Sequence, residues 1–283
     1  MDALSRGVAT PDRPDGLFVL VAGCYVAAML GPIAVALARR VVDAPGALYG
    51  VLLVAGVGGV LVGGLAIRGR EGVAVRLGDT VLAWLLVAVP LVLGGAVLAV
   101  ESAVPAVLGP EDVLLALVGG FGAGFLGFVL VSMAKTRYAA HVLSGATVAA
   151  TWSAPWPAAA RRRVWFLAGA TAAVGVIVFV LGAYLGQDLV RLAGQVLVPM
   201  AAVLATAGRE LTYRATDRGL EVRAPVARRV IPWPAFTGFR TSSTRLLLVR
   251  PEPYRQSIRC DRSEIDDPQA VSVVLERHLE RLS

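Results

Sequence analysis

The residues best suited to metal or nucleophile chemistry are few, and their spacing gives none of the usual arrangements. His141 and His278 are far apart in the chain, whereas an H-E-x-x-H metal site needs two imidazoles one helical turn apart with a carboxylate between them. Cys24 sits in an apolar run and Cys260 in a polar one, so the pair offers neither a metal spacing nor a disulfide framework. No G-x-S-x-G elbow, P-loop or strand-bounded G-x-G-x-x-G occurs, and "GFGAG" lies in an apolar run where phosphate has no place. The expectation is a protein that is not an enzyme, with no catalytic, cofactor-binding or metal-binding residues and no cofactor.

Ion-coupled transport needs ionisable groups near the middle of a membrane span. Asp79, Glu101, Glu111, Asp112 and Asp188 instead fall at or beyond the ends of apolar runs. Gln195 is the one strongly polar side chain within a run, and Pro32, Pro90 and Pro199 interrupt runs without themselves making a binding site. A transporter, or an accessory subunit of one, for an uncharged or lipidic substrate stands as the alternative reading.

The runs themselves dominate the chain. Of 283 residues, 57% are hydrophobic and 17% charged, and the mean hydropathy is +0.70, too apolar for a water-soluble body. Six stretches are long enough to cross about 30 Å of hydrocarbon: 17–38, 46–67, 80–100, 113–133, 164–185 and 188–207. In the first, Ala36-Leu37-Ala38 resembles a signal cleavage site, but Gly31-Pro32 and the following Arg39-Arg40 favour a retained span. Gly59 with Gly63, and Gly120 with Gly124, have the four-residue spacing that lets helix backbones approach closely.

Basic residues set the orientation, because cytoplasmic loops retain Lys and Arg. Arg6, Arg13, Arg68, Arg70, Arg76, Lys135, Arg137, Arg161, Arg162 and Arg163 fall on one side, against Arg39, Arg40 and Arg191 on the other. Six crossings with this bias predict a multi-pass protein of the cell membrane. Both termini are then cytoplasmic, with a tail over 1–16. The long connection 134–163 ends "TWSAPWPAAARRR". Trp152 and Trp156 suit headgroup depth as interfacial anchors, and Arg161, Arg162 and Arg163 suit contact with anionic headgroups.

After Gly208 the composition changes, and 209–283 reads as a separate cytoplasmic domain. Leu211, Tyr213 and Ala215 alternate with Thr212, Arg214 and Thr216 ahead of an Asp217-Arg218-Gly219 turn, and Leu220 and Val222 continue the alternation. Strands are expected at 228–233, 245–250 and 257–260. A C-terminal helix follows, capped by Asp266 or Asp267, with Pro268 in its first turn and Val271, Val274, Leu275, His278 and Leu282 on one stripe. From Arg209 onward there are fourteen Arg against ten Asp plus Glu. Arg228 and Arg229 are further candidates for an anionic surface, with Arg240 and Arg245. Nothing aromatic interleaves them as a stacking platform, so no nucleic acid is expected.

"YRATDRGLEVR" (213–223) and "RRVIPWPAF" (228–236) resemble the pleckstrin-homology-like (PH-like) domains of bacterial and archaeal membrane proteins, whose opening strand ends in a Thr-Asp turn and whose later strand ends in an Ile-Pro-aromatic step. The resemblance implies a small α+β fold, an antiparallel sheet or partial barrel capped by one helix, attached to the six-helix membrane part. It differs from the phosphoinositide-binding members in having a tight turn with Arg218 alone in place of a long basic loop. From the apolar composition and the break at Gly208, the expected partners are the lipid bilayer and, through 209–283, a protein partner or a second copy of the chain.

Overall fold

The computed structural model describes residues 14–103, 109–156, 158–206, 210–224, 227–251 and 257–282. Most of the expected 1–16 tail, including Arg6 and Arg13, therefore lies outside the described residues. The chain divides into two units, 1–144 and 145–283.

The first unit is helical: α1 (Gly16–Ala38), α2 (Pro45–Arg68), a short α3 (Val73–Asp79), α4 (Leu85–Ala103) and α5 (Pro110–Val142). Glycine sets its close contacts. A methyl group on Gly59 would come 2.6 Å from the Ala27 Cα, and one on Gly120 would come 2.8 Å from the Pro90 carbonyl oxygen. Both glycine pairs picked out by spacing thus lie where α2 meets α1 and α5 meets α4, within one chain. Inside lipid such contacts supply the packing that hydrophobicity cannot. Ion pairs fasten α1 antiparallel to α5 at both ends. Arg39 meets Glu111 and, at 3.4 Å, Asp112, while Asp15 meets Arg137.

α5 corrects one boundary. Its 33 residues make a rod of about 50 Å, longer than the hydrocarbon is thick, so 134–142 continues the helix. Neither Gly nor Pro occurs between Ser132 and Val142 to stop it. Charge ends the apolar run, but only a breaker ends a helix.

The second unit begins with β1 (Val148–Ala154), continues through α6 (Ala158–Tyr184) and α7 (Asp188–Thr206), and finishes with β2 (Leu211–Thr216), β3 (Gly219–Arg223), β4 (Arg228–Ile231), β5 (Gly238–Thr241), β6 (Arg245–Val249), β7 (Ile258–Asp261) and α8 (Pro268–Glu276). Two antiparallel sheets form, β1-β2-β3-β4 and β5-β6-β7. The folded body therefore takes in 148–154 in addition to the 209–283 expected for it. Among the described residues five helices are long and apolar enough to cross a membrane; α7, whose apolar part is Val190–Thr206, is shorter.

β1 corrects a second expectation. Trp152 is 4% exposed and belongs to the core of the sheets, so it cannot anchor in headgroups. Ala150, Trp152 and Ala154 face inward between the outward Thr151 and Ser153, an alternation that builds a half-buried strand. Trp156, after the strand, is half-buried.

Local chemistry fixes the rest. The Thr216 hydroxyl donates to the Gly219 carbonyl at 2.7 Å, and Asp217 accepts from the Thr147 N–H at 3.1 Å, tying the turn to β1. Gly219 has φ +153°, and a methyl group there would sit 2.5 Å from the Ile231 carbonyl oxygen, so no other residue fits without strain. The Trp233 indole N–H donates to the Thr216 carbonyl at 2.9 Å, and its ring stacks on His278 with centroids 4.6 Å apart. Asp267 caps α8 by accepting from the Gln269 and Ala270 N–H groups, and Val271, Leu275 and Leu279 close the core.

Trp152→Ala is expected to destabilise the second unit by about 3–5 kcal/mol, the cost of a large core truncation, with Trp156→Ala costing less than about half as much. Gly219→Ala should cost about 1–3 kcal/mol. Limited proteolysis of the full chain in detergent across a temperature series measures all three.

Candidate functional site

The register of the first sheet places the arginines. Ala154 pairs with Leu211, the closing rung of β1 and β2. The α6–α7 hairpin thus stands in the sequence where a β-hairpin loop would be. The next rung runs Ser153, Thr212, Arg223, Arg228, and the one after it Trp152, Tyr213, Val222, Arg229. Arg223 and Arg228 therefore lie one residue, and Arg229 two residues, from the end of the sheet that joins the helices. The Asp217-Arg218 turn is at the opposite end.

Directly opposed residues share a face. Arg223 and Arg228 point outward with Ser153, whereas Arg229 falls on the core side at the exposed β4 edge. The structure places Arg228 and Arg229 at the sheet end where β1 finishes ahead of α6, and Arg161, Arg162 and Arg163 occupy the second turn of that helix. Arg162 and Arg163 are exposed and Arg161 is half-buried.

One carboxylate belongs to this face. Glu221 is 3% exposed, and it pairs with Arg223 at 2.7 Å and with Arg214, opposite it in register, at 3.4 Å. The strand alternation carried this signal, since Arg214 and Glu221 sit equally far from the turn, but it shows only once the turn is known to be two residues long. Glu210, next to the closing rung, is exposed.

The core side is inert. Trp152 stacks on Tyr213 with centroids 5.6 Å apart, and the Tyr213 hydroxyl interacts with the Cys260 thiol. Burial pushes Cys260 up to about 11. Burial, and then the neighbouring sulfur, push the Tyr213 hydroxyl up as well. A protonated, enclosed thiol is a poor nucleophile.

Elsewhere, Gln195 is exposed on α7. A cavity of about 240 Å³ in the first unit is lined by Pro32, Leu37, Val97 and Leu115, with Arg40 and Asp112 its charged residues. Among the described residues no three His, Cys, Asp or Glu side chains come together as metal ligands.

Among the described residues seven strands in two antiparallel sheets, closed by one helix, form a β-rich body whose chain also carries helices long and apolar enough to cross a membrane. Residues 210–279 match the family model of the bacterial PH domain, so the C-terminal quarter of the chain is such a domain. The match begins at β2 and leaves out β1. No curated protein and no solved structure matches the chain.

The raised thiol gives a pH dependence of defined sign. A group whose folded value lies above its unfolded value stabilises fully below the unfolded value, near 9, and this contribution is lost as pH rises through about 11. The domain should therefore lose stability across that alkaline window, and Cys260→Ala should lose less. Denaturant titration of the full chain at successive pH values measures the difference.

Proposed function

We propose that this is a non-enzymatic, six-crossing protein of the cell membrane whose PH domain is held at the cytoplasmic surface as an interaction module for the bilayer, a protein partner or a second copy of the chain. The observation that carries the reading is the Ala154–Leu211 rung. β1 precedes α6 and β2 follows α7, yet they are hydrogen-bonded neighbours, so the chain must leave and return on one side of the bilayer. If α6 crosses, α7 crosses back. Its shorter apolar part still spans about 25 Å at the helical rise, and mismatch of a few ångströms costs little.

The same parity runs through the first unit. α1 lies antiparallel to α2 and to α5, and α4 antiparallel to α5, with Asp15 beside Arg137 at one end and Arg39 beside Asp112 at the other. On this reading four crossings there and two in the α6–α7 hairpin return the chain to the side on which it began. That side holds Arg68, Arg70, Arg76, Arg137 and Arg161–Arg163, which by the basic bias is the cytoplasm.

Gln187→Cys, in the α6–α7 turn, should react with a membrane-impermeant maleimide applied to intact cells, whereas Arg218→Cys should react only after permeabilisation, each against the labelling of the parent chain. Labelling of both from the same side overturns the six-crossing reading.

A further inference from the structure

We infer that the cytoplasmic end of α6 is a binding site for an anionic phospholipid, with Arg162 and Arg163 holding the phosphate and Phe166 and Leu167 holding the start of an acyl chain. The inference rests on the reading that α6 crosses the membrane, and it names the ligand of the basic end described above.

A shallow open hollow of about 570 Å³ is lined by Ala159, Arg162, Arg163, Phe166 and Leu167. Small Ala159 leaves it unfilled on one side. Phe166 is 77% exposed and Leu167 59%, and they lie three to five residues along the helix from the two arginines. Residues three and four apart share a helix face, and the rise of about 1.5 Å per residue puts the ring some 5 Å deeper than the guanidiniums. That is the vertical order of a phospholipid, charge above and hydrocarbon below.

The charge balance favours an anion. Neither Arg162 nor Arg163 has a carboxylate within ion-pair distance among the described residues. At the end of the sheet that joins the helices stand Arg223, Arg228 and Arg229, and Glu221 there is taken by Arg214 and Arg223. A free phosphate would use the arginines alone and leave the aromatic side chain beneath them without a partner, so the occupant is a lipid. The guanidinium fork also fits a phosphate bidentately.

The test is lipid retention by the full chain in mild detergent, after exchange into phosphatidylcholine bilayers with or without phosphatidylglycerol, read by native mass spectrometry. The wild type should retain phosphatidylglycerol in preference to phosphatidylcholine. Arg162→Gln with Arg163→Gln should weaken that retention roughly thirty-fold, at about fivefold per arginine near a charged surface. Arg162→Lys with Arg163→Lys should keep most of it, and Arg218→Gln, at the far end of the sheet, should leave it unchanged. Phe166→Ala should weaken retention of the diacyl lipid but not the binding of inorganic phosphate. Equal retention of the two lipids by the wild type, or undiminished phosphatidylglycerol on the double Gln variant, overturns the inference and leaves the six-crossing reading standing. Loss of that reading would show instead as labelling of Gln187→Cys and Arg218→Cys from the same side.

Discussion

The second unit depends on one antiparallel pairing, that of β1 with β2. Their connected ends, Ala154 and Leu211, form a rung although the whole α6–α7 hairpin separates them in sequence. A flexible loop of that length would cost ~3–4 kcal/mol to close, but two apolar helices packed antiparallel arrive with their ends already side by side. Gly175, Gly182 and Gly194 make this possible: a methyl group on Gly175 would come 2.9 Å from the Leu197 Cβ. Paired strands stand about 4.8 Å apart and packed helices 8–10 Å apart, so the two spacings differ by only a few ångströms.

That pairing explains why part of the fold was legible and part was not. The β2–β3 hairpin could be read because period-2 alternation and a Gly-containing turn are local, and α8 because Asp267 and Pro268 mark its start. β4, β6 and β7 showed as short apolar runs between arginines. β1 carries the same alternation in Ala150, Trp152 and Ala154, but its partner lies beyond two apolar helices, and the prolines and arginines after it favoured an interfacial reading. β5 has only Gly238–Thr241, too few residues to show a period. Trp152 was noticed for the right reason, an indole needing a special place, and assigned to the wrong one. An indole suits a headgroup layer and a β-sheet core equally well, and only the neighbours distinguish them.

The basic end was legible as a list and not as a place. Arg161–Arg163 and Arg228–Arg229 stand far apart in the sequence, and strand register brings them to one end of the sheet. The same register takes Arg218 to the other end. In this chain the tight β2–β3 turn is therefore both short of basic residues and the part of the sheet furthest from the point where the helices leave. The arginines cluster instead around the joint, where the chain itself fixes their distance from the helices.

A module stitched in this way differs mechanically from one hung on a single linker. The α6–α7 contact and the β1–β2 ladder are in series along the chain, and Pro155, directly after β1, has a fixed φ. A change in the crossing of the two helices must then be absorbed by the ladder, and a force on the sheet must be felt at the glycine contacts. At Gly182 and Gly194 those contacts are backbone against backbone, with no flexible side chain to cushion them, so the helical hairpin and the sheet respond together. Domain and membrane anchor are in this sense one mechanical element, and the ladder that joins them begins at Ala154.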